Sequence, residues 1–180
     1  IPRSGGWGTE DMHPQANRIS ESLAQRSGWP ALQLHAPVAV DSSEVKSMLM
    51  RQGFIKDVLD AARNADIAVV GIGCVPRYIE WCQMYLPDYQ SDSRVDKAYM
   101  GDIAYNLFDR DGKPIDCAWH DHKIALDLEE ILRIPEVIAV AGGKEKAHSI
   151  DLAAKHGLFH SLVTDVETAE QLLEMKRKGL

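Results

Sequence analysis

The chain predicts an α/β fold, a mostly parallel sheet with helices on both faces, and three observations carry that reading. Two continuous apolar runs, Ile67-Ala68-Val69-Val70 and Val137-Ile138-Ala139-Val140-Ala141, have the composition of buried parallel strands. Each run ends at glycine, in Gly71-Ile72-Gly73 and in Gly142-Gly143. Segments with helical apolar spacing lie between and around them, so strands and helices alternate along the chain. With 180 residues, 45% hydrophobic and 26% charged, the composition fits one domain with a sizeable core.

The elements follow in order. Ile19 and Leu23, four apart in a polar frame and stopped by Gly28, predict an amphipathic helix over 14–27. Residues 31–40 read as extended, with Pro30 and Pro37 at irregular places. Asp41 three residues before Glu44 has the pattern of a capping box for a helix ending near Gly53. A second helix over 54–64 aligns Phe54, Val58, Leu59 and Ala62 on one side. Residues 75–99 mix helix-like and loop-like stretches. Asp102 to Phe108 reads as one strand, and Arg110-Asp111-Gly112-Lys113 as a turn leading to Ile115 and Cys117. A short helix over 126–132 stops before Pro135. Lys144 to His156 is a helix ended by Gly157. Phe159 to Val163 is a strand, Thr164 or Asp165 caps the next helix, and that helix runs over 166–176.

Charge narrows the function. A net charge of −7 is a poor match for a nucleic-acid backbone, and the dense basic run Lys176-Arg177-Lys178 suits a helix C-terminus. No apolar stretch approaches the roughly 20 residues that span a bilayer, and no signal-peptide pattern is visible. Three cysteines without a C-x-x-C arrangement fit a reducing cytoplasm. The opening Ile1-Pro2 reads as the start of a fragment of something longer.

Ligands of such sheets bind where loops gather at the carboxyl ends of strands. Gly73, Gly143 and Thr164-Asp165 are therefore expected on one rim. Asp102 beside Gly101 is suited to accept hydrogen bonds from hydroxyls, and Lys144 or Lys146 to neutralise an anion. Gly142-Gly143 would let backbone N–H groups and a helix N-terminus face that anion; a plain strand-to-helix turn accounts for the pair as well. A turn or capping role would equally explain Asp102. Ser4-Gly5-Gly6 fits either a backbone anion cradle or a flexible linker, and Gln15 and Asn17 either bond hydroxyls or face water. In an extended Trp119-His120-Asp121-His122 the two histidines would point the same way, but two ligands do not make a metal site. Cys74 reads as a small buried residue, and no nucleophile elbow or reactive Cys/His pairing stands out. No cofactor is called for.

Several motifs in order resemble the sugar-binding domain of SorC-type bacterial transcriptional regulators. They are ADIAVVGIG (65–73), GDIAYNLFDRDGKPID (101–116), IPEVIAVAGGKEKAHSI (134–150) and LVTDVETAEQLL (162–173). RSGG, QANRI and LHAPVAVDS agree with the earlier part of that domain. The resemblance implies a cytoplasmic transcription factor whose N-terminal helix-turn-helix, absent here, binds DNA. Residues 1–180 would be its effector domain, which senses a sugar, polyol or sugar phosphate and forms dimers or tetramers. Its fold would be that of sugar-phosphate isomerases and deaminases, the CoA transferase-like fold, normally without turnover. Carried over by motif, Asp102 and Lys146 become the leading ligand contacts. Ser4, Gly5 and Gly6 match a loop near the ligand phosphate, with Gln15 beside them. The family's glycine/threonine-rich phosphate loop is missing, Tyr99-Met100 replaces small apolar residues, and His122 stands where arginine is common. The rival is an aldose–ketose isomerase or amino-sugar deaminase on the same fold. Imine formation by Lys146 is a third reading.

Overall fold

A computed structural model describes residues 2, 16–74 and 93–178. Helices α1 (Ala16–Ser27), α2 (Ser43–Met50) and α3 (Gly53–Arg63) precede strands β1 (Ile67–Val70) and β2 (Ile72–Gly73). Helix α4 (Ser93–Ala98) leads to a hairpin of β3 (Gly101–Ile103) and β4 (Asn106–Phe108). Short helices α5 (Ala118–His122) and α6 (Leu128–Leu132) lead to β5 (Glu136–Val140). A 3-10 turn (Lys144–Lys146) opens α7 (Ala147–Lys155), and β6 (Ser161–Val163) and α8 (Val166–Lys178) follow.

Two small sheets organise these elements. One is parallel, in the order β1-β5-β6, with Ala68 opposite Val137 and Ala139 opposite Leu162. The other is antiparallel, in the order β2-β3-β4. The α/β expectation therefore holds, with a parallel sheet and crossover helices. Ala68, Val70, Val137 and Ala139 point into the main core, where they meet Ile55, Leu59 and Ala62 of α3 and Ile150 and Ala153 of α7. A second cluster gathers Val38, Val95, Tyr99, Leu107 and Trp119 beside the antiparallel sheet.

Several local expectations are corrected. The two apolar runs are strands, but each buries alternate residues: Ile67, Val69 and Val140 are exposed. Residues 102–108 are a hairpin, because Ala104 and Tyr105 adopt positive φ (48° and 67°) and reverse the chain. Asn106 holds that turn by donating from Nδ2 to the carbonyls of Ile103 and Leu126. Ser42, rather than Asp41, caps α2, accepting from the Val45 N–H at 3.3 Å. On α3 the buried row is Ile55, Val58, Leu59 and Ala62, and Phe54 is exposed. Residues 118–122 form helix α5 rather than an extended segment, so His120 and His122 do not project side by side. Residues 31–40 form no regular strand; Ala39 makes an isolated bridge to Lys123. Asp127 and Glu130 make the reciprocal capping box of α6, and Asp165 caps α8 through the Thr168 N–H at 2.8 Å.

Candidate functional site

Asp102 sits on the antiparallel sheet directly opposite Gly73. It is 4% exposed, an unusual place for a carboxylate without a function or a partner. The Tyr99 hydroxyl, itself on a buried side chain, donates to Asp102 Oδ1 at 3.1 Å. Gly73 makes room for the carboxylate, since a Cβ there would lie 1.9 Å from Asp102 Oδ1. Gly101 serves the same close packing: its Cβ would meet the Phe108 ring at 2.6 Å and the Ser149 Cβ at 2.9 Å. Both glycines are thus required by proximity, and both bear on how Asp102 is held.

Lys146 follows β5 of the parallel sheet. It ends the 3-10 turn that opens α7, and α7 packs against β2 and β3. Ser149, one turn along, donates to the Met100 carbonyl at 2.6 Å and pins α7 to the strand carrying Asp102. Lys146 is half-buried, and no carboxylate among the described residues lies within 4.0 Å of its ammonium. Lys144 differs: it is exposed and pairs with Glu167 at 3.4 Å. Of the two lysines, Lys144 is the one paired with a carboxylate among the described residues.

The double glycine is consistent with the plain strand-to-helix turn, one of its two expected readings. Gly143, with φ of 111°, donates its N–H to Thr168 Oγ1 at 2.8 Å and to Asp165 Oδ2 at 3.0 Å. That amide is engaged within the protein. Hydrogen bonds from the Thr168 N–H and hydroxyl, and from the Gly143 N–H, hold the Asp165 carboxyl below its ordinary range. The rim at Gly142 and Asp165 does form: a Cβ on Gly142 would meet Asp165 Oδ2 at 2.1 Å.

Asp102, Gly73, Gly143 and Lys146 are therefore placed by the structure, while Ser4, Gly5, Gly6 and Gln15 lie outside the described residues. Tyr99 and Ser149 were not singled out as site residues. Tyr99 was visible as a departure from the resembled family, whereas Ser149 gave no signal beyond a polar residue on an apolar helix face. Cys74 is buried. Among the described residues no three His, Cys, Asp or Glu side chains are grouped to hold a metal. His122 Nδ1 lies 2.7 Å from the Val40 carbonyl, and His120 lines a pocket with Asn106 and Asp127.

A family model described as "Putative sugar-binding domain" matches residues 1–174. The chain belongs to the sugar-binding domain family of SorC-type transcriptional regulators. This sugar-binding domain is 34% identical over 144 residues to the transcriptional regulator LsrR of Enterobacter sp. (strain 638), covering 78% of the chain and 45% of that protein. It spans about half the length of the curated relatives it matches. A sugar-binding domain of a transcriptional repressor from Vibrio fischeri superposes with a TM-score of 0.80 at 30% identity, covering 97% of this chain and 69% of that one. The full-length sorbitol operon regulator SorC from Klebsiella pneumoniae gives 0.83 at 23% identity, covering 96% and 56%, and shows the shared fold.

Proposed function

We propose that this domain is the sensor of a longer, cytoplasmic transcriptional regulator, and that it binds a sugar, polyol or sugar phosphate between Asp102 and Lys146. The observation that carries the reading is the buried Asp102 carboxylate, set over Gly73 and oriented by Tyr99, at the end of a sheet that Ser149 ties to the Lys146 turn. A fixed carboxylate accepts hydrogen bonds from vicinal hydroxyls, and an unpaired ammonium complements a phosphate. Ser4, Gly5, Gly6 and Gln15 are proposed to complete the phosphate side, as the family resemblance implies. Binding shifts the balance between oligomeric arrangements that differ in DNA affinity, through a helix-turn-helix outside this chain; the ligand must favour one of them.

No step of catalysis is proposed. An isomerase or deaminase would need a base poised at the sugar's reacting carbons, and the regulators that the chain resembles favour the sensor. A thermal-shift screen against free sugars, polyols and their phosphates tests the sensor reading, because a ligand that binds only the folded state raises the melting temperature. Asp102→Ala is expected to weaken the hit by about 1–3 kcal/mol with the fold intact. Unchanged calorimetric affinity in that variant removes Asp102 from the site. Lys146→Met is expected to cost phosphorylated ligands more than free ones, and equal losses refute a phosphate role. Release of product from ribose 5-phosphate or glucosamine 6-phosphate would favour the enzyme instead.

A further inference from the structure

The parallel sheet has a second face. Val69, Ile138 and Ser161 share one row of its register, and Val140 and Val163 share the row two residues on. With Ile67 and Glu136 these side chains project away from Ala68, Val70, Val137 and Ala139. Helices α3 and α7 bury their apolar rows against the Ala68 side. On the other side Ile67, Val69, Val140 and Val163 are 46–57% exposed, and Ile138 is half-buried. A single exposed valine needs no explanation, but five neighbouring β-branched residues on a parallel sheet do, because such sheets are covered on both faces.

The patch has the footprint of one helix. Three strands about 4.8 Å apart make it about 10 Å wide, the diameter of an α-helix with its side chains. From Ile67 to Val140 it runs four residue rows, about 13 Å, the length of roughly nine helical residues. At the amino-terminal ends of β5 and β6 the face turns polar, where Ser161 Oγ donates to Glu136 Oε1 at 2.8 Å.

Size and the relatives indicate what covers it. The exposed parts of five such side chains amount to on the order of 300–400 Å², about half of the roughly 800 Å² that each partner of a standard interface buries. A segment tethered to the same chain needs less area, since little association entropy opposes it. The Vibrio fischeri sugar-binding domain covers 97% of this chain, but only 69% of that chain is matched, so nearly a third of it is additional. We propose that an amphipathic α-helix, from the part of the longer protein outside these 180 residues, packs across Ile67, Val69, Ile138, Val140 and Val163. The inference rests on the reading of this domain as part of a longer protein, and not on any ligand. The intact mass of the native protein checks that reading first: a value of 20.0 kDa refutes it, and the inference with it.

Peptide-resolved maleimide labelling of Val69→Cys and Val140→Cys tests the inference itself, with Arg133→Cys, at a position 76% exposed, as the control. In the 180-residue chain all three thiols should react at similar rates. In the full-length protein the two sheet thiols should be protected about tenfold or more, with the control unchanged. A photo-crosslinking residue introduced at Val140, in a mixture of isotopically light and heavy full-length protein, should link within one chain to a peptide outside the 180 residues. Equal labelling of the sheet thiols in the two proteins overturns the proposal. So does protection in the 180-residue chain that fades on dilution, or a link between light and heavy chains, since either makes the occupant a second copy. A link to a peptide within the 180 residues overturns it as well.

Discussion

Gly73→Ala places a methyl group where the Asp102 carboxylate now sits. The added Cβ would be 1.9 Å from Oδ1 and 2.8 Å from Cγ, far inside contact distance, so the carboxylate must rotate away. Rotation sacrifices the 3.1 Å hydrogen bond from Tyr99, a bond to a charged group worth about 1.5–3 kcal/mol when buried. An off-rotamer side chain on a packed strand adds about 0.5–1.5 kcal/mol. The expected loss is therefore about 2–4 kcal/mol, or roughly 4–16 °C in melting temperature for a domain of this size. The decisive assay is a double-mutant cycle by denaturant unfolding. In an Asp102→Ala background the atoms nearest the new methyl are gone, and Gly73→Ala should then cost less than about 1 kcal/mol. Equal costs in the two backgrounds would refute the claim that Gly73 exists to admit the Asp102 carboxylate.

Two further predictions concern the buried charges. Burial, and then the neighbouring Lys123 and Lys46 ammoniums, push His120 down to about 4, so the folded protein holds it neutral. Between pH about 4 and 6.5 the unfolded chain binds more protons, and stability should rise with pH across that window by about 2–3 kcal/mol from this residue. In denaturant titrations His120→Phe should flatten that rise; an unchanged slope would assign it elsewhere. Burial lowers Lys123 against the opposing pull of Asp127, so this lysine makes stability rise with pH below its ordinary value of about 10.5. Lys123→Met should abolish that alkaline rise. At neutral pH it should cost about 1–3 kcal/mol, because the buried Asn106 Oδ1 loses its donor while Asp127, 68% exposed, regains water; an unchanged stability would contradict this.

Much of the fold was legible because apolar runs ending in glycine are strong local signals. The strands at 67–70 and 136–140, the stop at Gly157 and the cap before Val166 all follow from such patterns. The hairpin within 101–108 was not legible, because its turn uses Ala104 and Tyr105 rather than glycine or asparagine. The conformation is imposed from outside, by Asn106 reaching the Leu126 carbonyl and by the Trp119 Nε1–H donating to the Tyr105 carbonyl at 3.0 Å. Helix α5 escaped notice for a related reason: alternating His and Asp side chains fit an exposed strand, and only the burial of Trp119 in the second core selects the helix. Tertiary contacts decided both cases.

The same distinction governs the site. Asp102 and Lys146 stand out in a sequence because charge beside glycine is readable. In the proposed site Asp102 is confined, and that confinement depends on residues whose letters announce nothing. Tyr99 reads as core and does pack in the second cluster, yet its hydroxyl fixes the carboxylate. Ser149 reads as a polar interruption of a helix, yet its bond to Met100 couples the Lys146 turn to the Asp102 strand. Gly143, the most suggestive letter of all, is engaged by Asp165 and Thr168 and holds the rim together from within. The charged pair is the centre of the proposed site. The neutral residues around it determine how rigidly the pair is held, and therefore how much of the binding energy survives as affinity.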